Sequence, residues 1–142
     1  MTPEYIAGVL DSDGSLSISR RRQNKKTPNF IIMIQITWLY NVNSLKFFKK
    51  LCKTYGGSYY IGKSHSGFNN PKPIIKYCAV GSAALYLINS CGKFLILKNK
   101  QSKNLRKLMN IKRTDNSISK QNKLYLKNAK LNGVKIYDSY TK

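Results

Sequence analysis

Acidic residues are almost missing from this chain of 142 residues: five Asp and Glu stand against 26 Lys and Arg, a formal net charge of +21. Ordinary metabolic enzymes mix both signs on their surfaces, so that imbalance sets their class aside. Cysteine is also scarce. Cys52, Cys78 and Cys91 are an odd number without a C-x-x-C spacing. A disulfide framework or a zinc site is therefore not expected, and the three read as small buried residues of a reducing compartment. No apolar run is long enough for a bilayer, because the stretch from Phe30 to Leu39 is broken by Gln35 and Thr37. The opening MTPEYIAGVL has no basic region and no apolar core of a leader, so neither a signal peptide nor a membrane partner is expected.

What is present is enough to fold. A hydrophobic content of 42% with 11% aromatics excludes a disordered basic tail, and the length fits one domain. A folded domain with this much excess positive charge must spread it over a surface, which points to polyanions as partners. Phe, Tyr, Met, Ile, Asn and Lys make up 67 of the 142 residues. All six have A/T-rich codons, a bias expected of an A/T-rich genome such as that of a mitochondrion or chloroplast.

Thr2 and Pro3 read as the cap and first residue of a short helix through Leu10. From 14 to 21 the period changes to two, with Leu16, Ile18 and Arg20 alternating against Ser15, Ser17, Ser19 and Arg21. A basic turn to Pro28 leads to a second strand over 29–38, with Phe30, Ile32, Ile34, Ile36 and Trp38 on one side. A helix capped at Asn43 or Ser44 follows, with a buried stripe of Leu45, Phe48, Cys52 and Tyr55, and Gly56-Gly57 ends it. Strands over 58–63 and 74–80 flank a Gly/Asn/Pro-rich loop that carries the lone His65, read as a loop residue placed to touch phosphate. Helices are expected over 82–91, 94–109 and 117–131. The second of these has the inward stripe Phe94, Leu97, Gln101, Leu105 and Leu108. The last carries a one-sided ridge of Lys120, Lys123, Lys127 and Lys130, suited either to solvent or to a nucleic-acid backbone. The fold class is α+β, an α-β-β-α-β-β-α core with an antiparallel sheet, over residues 1–110. Residues 111–142 form a basic helical extension of the same domain. One sheet face is left polar, and a two-stranded ribbon fits the DNA major groove.

Two of the five acids, Asp11 and Asp13, stand two residues apart at the end of the first helix. The dipole puts partial negative charge there, so carboxylates at that end need a reason. Asp11 either hydrogen-bonds the following turn or has a role at a site. Asp13 beside phosphates requires a divalent cation, and a hard cation takes oxygen ligands from one or two carboxylates plus substrate phosphate.

The segment Ile6-Ala7-Gly8-Val9-Leu10-Asp11-Ser12-Asp13-Gly14, with Tyr5 before it and Ser15-Leu16-Ser17-Ile18 after, resembles the signature of the LAGLIDADG homing endonucleases. Ala, Gly, Asp, Asp and Gly match at five spaced positions, and the likeness extends over most of residues 3–108. It implies the single-motif type, a homodimer, with a sheet that forms a DNA-binding saddle. Ala7, Gly8, Ser12 and Asp11 then belong to the dimer interface, since small residues allow close helix approach, between chains or within one. Asp13 is implied as the metal-binding carboxylate and the carbonyl of Ser12 as a further ligand, for Mg²⁺ or another divalent cation such as Mn²⁺. Asp11 is implied to support the helix end. In Phe94-Leu95-Ile96-Leu97-Lys98-Asn99-Lys100-Gln101, Lys98 matches an active-site lysine, against the plain reading of a surface charge. The family often places a glutamine near the end of the second strand. Here Trp38 stands there, and Gln35 is the nearest glutamine, with Asn41 or Asn43 as substitutes.

The polar strand faces are expected to read DNA through Ser15, Ser17, Ser19, Arg21 and Gln23 on the first strand. Asn29, Met33, Gln35 and Thr37 serve on the second, and Tyr59, Lys63 and Lys76 on the second hairpin. Arg20, Arg22, Lys25 and Lys26 are expected on phosphates. A ten-residue strand covers about 33 Å, roughly ten base pairs of duplex, so two subunits imply a long, near-palindromic site. The activity implied is metal-dependent hydrolysis of one phosphodiester per strand in double-stranded DNA by an intron-encoded enzyme. The alternatives are a regulator that binds without cutting and a maturase acting on intron RNA.

Overall fold

The computed structural model describes residues 1–23, 27–64, 71–111 and 117–134, and the side chains of residues 21–23 and 27 are not described. Helix α1 (Pro3–Asp13) starts where expected, with the Thr2 hydroxyl accepting from the Tyr5 N–H at 3.3 Å, and it runs three residues further. It passes without a loop into β1 (Gly14–Gln23), which pairs antiparallel with β2 (Thr27–Leu39). Gly14 makes that junction possible. A Cβ there would lie 2.7 Å from the Leu10 carbonyl oxygen and 2.8 Å from its Cα, both backbone atoms that cannot swing away.

Helix α2 (Val42–Tyr55) begins earlier than its sequence stripe suggests, because Asn41 is the cap. Its side chain accepts from the Ser44 N–H at 2.8 Å, and the Ser44 hydroxyl accepts from the Asn41 N–H at 2.9 Å, a reciprocal capping box. The buried face is Ser44, Phe48, Leu51 and Tyr55, with Leu45 and Cys52 only half-buried at its flanks. Gly56 and Gly57 turn the chain at φ 76° and 85°. A side chain at Gly57 would also strike the Cys78 carbonyl. Strands β3 (Ser58–Lys63) and β4 (Pro73–Val80) then complete one four-stranded antiparallel sheet in the order β1-β2-β4-β3. Pairing of β2 with β4 makes the two hairpins one surface.

The alternation of β1, β2 and β4 divides that sheet. Leu16, Ile18, Phe30, Ile32, Ile34, Ile36, Ile75, Tyr77 and Ala79 are buried on one face, beneath the helices. Phe48 of α2 stacks on Tyr77 at 6.2 Å and 5°, and the Tyr77 hydroxyl donates to the Gly56 carbonyl at 2.9 Å. That burial pushes the Tyr77 phenol far above its ordinary range. Helices α3 (Ser82–Cys91) and α4 (Asn99–Asn110) follow, linked by a 3-10 turn at Gly92–Phe94. Helix α5 (Ile118–Leu131) folds back onto the first hairpin. There the side-chain amides of Asn128 and Asn132 both donate to the Leu16 carbonyl at 2.9 Å, and Tyr125 packs on Phe30. The architecture is α+β, as the sequence indicated.

The expected helix over 94–109 is where the reading departs from the structure. Residues Leu95–Lys98 are not helical and α4 starts at Asn99. Gln101, Leu105 and Leu108 face the core, but Leu97 is 74% exposed, so the inward stripe loses that member. The backbone N–H groups of this short segment are used by another residue, described below.

Replacing Gly14 by Ala is expected to destabilise the fold by about 1–3 kcal/mol, the usual range for overpacking a closed site. A urea melt showing an unchanged midpoint would contradict this account of the helix-to-strand junction.

Candidate active site

All the acidic side chains among the described residues, Glu4, Asp11 and Asp13, lie on α1. Two of them close its C-terminal end, and the structure gives each a different task. Asp11 is half-buried and reaches the segment ahead of α4. Its Oδ2 accepts from the N–H of Ile96 at 2.7 Å and of Leu97 at 3.2 Å, and its Oδ1 accepts from the N–H of Lys98 at 2.9 Å. Three successive amides converging on one carboxylate form an anion nest, placed where the positive end of the α4 dipole favours it. These amides belong to the turn that leads into α4.

Lys98 returns the contact. Its Nζ donates to the carbonyl of Leu10 at 2.8 Å and, by a short bond, to the carbonyl of Asp11. A cation thus sits on the negative end of α1, sharing the Leu10 carbonyl with the Gly14 N–H and reaching the Asp11 carbonyl beyond it. The side chain is not a free surface charge: it is bound at the helix end that carries Asp13.

Asp13 is exposed, and its Oδ2 accepts from the indole N–H of Trp38 at 2.8 Å. Trp38 leans on Phe47 at 4.7 Å and Phe48 at 5.1 Å, both from α2. Gln35, the glutamine considered for a catalytic role, is not brought to Asp13. Strand parity turns it to the opposite sheet face from Trp38, where its amide lies 3.9 Å from the Cys78 sulfur. Asn41 is occupied as the α2 cap, and Asn43 is exposed on that helix. Ser12 is exposed, with its hydroxyl donating to the Val9 carbonyl at 3.2 Å, and the carbonyls held by Lys98 stop one residue before it.

Cys52 and Cys91 are not poised as nucleophiles. Burial pushes the Cys91 thiol up to about 11 and raises that of Cys52. Among the described residues no three of His, Cys, Asp and Glu come together. A cation at Asp13 would therefore be held by that carboxylate, backbone oxygen such as that of Ser12, water and substrate phosphate. That is a set a hard divalent ion accepts and zinc does not favour.

The interface residues proposed on α1 separate. Ala7 is buried within its own chain, a correction to its assignment to an exposed face, since its position points at the same core as Ile6 and Leu10. Gly8 is exposed, and a Cβ on it would meet nothing within 4 Å. Beside the Asp11 nest, Ile96 is 83% exposed and Leu97, expected in a buried stripe, is 74% exposed, and both are apolar.

On the outer sheet face the register aligns Ser15 with Gln35, Ser17 with Met33 and Arg21 with Asn29, and Thr37 with Lys76. Ser19 falls opposite Ile31. The assignment of Tyr59 and Lys63 to this face is corrected. Tyr59 pairs with buried Tyr77 and packs on the core, and Lys63 shares its parity. Tyr60, opposite Lys76, belongs to the outer face and was missed. Counting back from Tyr77 would have found it. Arg20 is exposed and has the parity of the helix-covered face. The side chains of Arg22 and Gln23, like that of Arg21, are not described, and Lys25, Lys26 and His65 lie outside the described residues. Lys120, Lys123, Lys127 and Lys130 are all exposed along α5.

Solved structures share this fold. An archaeal intron-encoded homing endonuclease, I-Vdi141I, complexed with DNA, superposes with a TM-score of 0.70 at 19% identity, over 97% of this chain and 87% of that one. The homing endonuclease I-TnaI gives 0.69 at 14% identity, over 94% and 95%. I-SmaMI, a LAGLIDADG homing endonuclease bound to cleaved DNA, gives 0.68 at 18% identity, over 94% of this chain but 45% of that one. The chain has the LAGLIDADG homing endonuclease fold. No family model and no curated protein matches its sequence.

Removing the Asp11 carboxylate as Asp11→Ala leaves three amides without their acceptor and is expected to cost about 2–3 kcal/mol. Lys98→Met should cost less, about 1 kcal/mol, as the loss of a cation at a helix end. Denaturation midpoints of the two variants check both values, and an Asp11→Ala midpoint equal to wild type would remove the nest from the account.

Proposed function

We propose that this chain is one subunit of a homodimeric, divalent-metal-dependent endonuclease that cuts both strands of a long, near-palindromic DNA site. The observation that carries the reading is the exposed Asp13 carboxylate at the end of a helix whose Gly8 face is open. One acid per chain does not serve two antiparallel strands, whereas a symmetric pair supplies two sites. Gly8, Ser12 and the exposed Ile96 and Leu97 support pairing about α1, since an apolar patch beside a helix without bulk favours a second copy. The 45% coverage of I-SmaMI fits two such units doing the work of one longer chain.

In this reading Asp13 and the Ser12 carbonyl hold Mg²⁺ or Mn²⁺ against a backbone phosphate. The ion, when bound, supplies charge stabilisation and an activated water for phosphodiester hydrolysis. Asp11 and Lys98 fix the helix end, and Lys98 adds positive charge near the scissile phosphate. Ser15, Ser17, Ser19, Asn29, Gln35, Thr37, Tyr60 and Lys76 face the groove. Ile31 and Met33 offer apolar contact to thymine methyls. Arg20 and the α5 lysines reach phosphates outside it. The codon bias extends the proposal to an intron of an A/T-rich genome such as an organelle's.

One observation favours a reading without cleavage, as a DNA-binding regulator or a maturase on intron RNA: Trp38 stands where the family resemblance leads one to expect glutamine. Selection from a randomised duplex library with Mg²⁺ or with EDTA separates the readings. Metal-dependent cuts at one enriched near-palindrome support the nuclease, and enrichment without cuts supports the regulator. Asp13→Asn should lower cleavage on the order of a thousandfold and leave DNA binding within a few-fold. Gly8→Leu should fold as wild type but sediment as a monomer, and a normal dimer would refute pairing through α1.

A further inference from the structure

Trp38 is the only tryptophan in the chain, and its single polar atom is spent on Asp13. We propose that Trp38 is the positioning residue of the metal-binding carboxylate, holding Asp13 through Oδ2 so that Oδ1 is presented to the cation. This rests on the reading of Asp13 as a metal ligand and goes beyond it, because it assigns to an indole the place where the family resemblance leads one to expect glutamine.

The geometry supports the assignment from three sides. An exposed aspartate on a helix end has several side-chain wells open to it, and selecting one costs conformational entropy at the moment of binding. The indole N–H at 2.8 Å selects one in advance. The indole in turn is braced by Phe47 and Phe48, with ring centroids 4.7 and 5.1 Å away, and Phe47 is met edge-on by Tyr5 of α1 at 6.1 Å. The position of the carboxylate is therefore transmitted from the packed contact between α1, β2 and α2. Finally, an indole nitrogen donates and cannot accept. A glutamine at this place could accept from a water proton, and Trp38 cannot. Its contribution is confined to the carboxylate, so orientation of the attacking water falls to other groups.

Terbium(III), a hard oxygen-seeking cation, tests this without reference to cleavage, since an indole beside it transfers excitation to it. With full-length protein excited where only indole absorbs, sensitised terbium emission should appear, saturate, and vanish in Asp13→Ala. In Trp38→Phe, which keeps an aromatic ring against Phe47 and Phe48, calorimetry should give terbium affinity about five- to tenfold weaker, the order expected for one solvent-exposed hydrogen bond. Trp38→Gln, which restores an N–H donor of similar reach, should recover most of that loss. If terbium binds in an Asp13-dependent manner but wild type shows no sensitised emission and Trp38→Phe binds equally well, the positioning role is wrong and the metal site stands. If no binding depends on Asp13, the metal reading itself fails and the inference falls with it. The wild-type emission needs no variant to fold, so a misfolded Trp38→Phe would not shelter the proposal.

Discussion

The exchange between Asp11 and Lys98 is the contact on which the end of α1 that carries Asp13 depends. Each helix end carries unpaired backbone groups and a partial charge. Here the negative end of α1 receives the side chain of Lys98, and the amides leading into α4 receive the side chain of Asp11. The two elements are 85 residues or more apart in sequence, yet each neutralises the other's terminus. Leu95–Lys98 stand outside α4, and Ile96 and Leu97 are displayed beside the end of α1. The same clamp fixes the turn of helix from which Asp13 projects.

Around this clamp, polarity is sorted by the sheet. Period-two alternation buries isoleucine under the helices and leaves serine, asparagine, glutamine and threonine outward, on a four-stranded surface built from two hairpins. The acids are kept off that surface altogether among the described residues. That surface presents hydroxyls, amides and lysine, and among the described residues Asp11 and Asp13 stand at the end of α1. Two of the five acids of a chain of net charge +21 thus share one helix end, where Asp11 is taken up by backbone amides and Asp13 by an indole N–H.

Much of this was legible in the residues. The order of elements, the α+β class and the outward set on β1 and β2 followed from a change of hydrophobic period, which depends only on local backbone geometry. The motif at Ile6–Gly14 located both acids at the end of the first helix, which runs three residues beyond the expected Leu10. Its glycines prove to have opposite reasons. Gly14 is required because α1 runs straight into β1 with backbone in contact, whereas Gly8 faces open space.

What the sequence determined by itself was therefore set by near neighbours: periodicity, caps, charge balance and the motif. What the tertiary structure decided were contacts between distant segments. Tyr60 rather than Tyr59 faces outward because pairing with β4 sets the parity of an edge strand too short and mixed to show it alone. Ala7 points inward because the core lies on its side of α1. Leu97 lies exposed outside the helix with its amide on Asp11, and a side-chain pattern is blind to where a backbone N–H is spent. Trp38 reaches Asp13 across 25 residues because α2 holds its ring in place, a convergence no spacing rule contains.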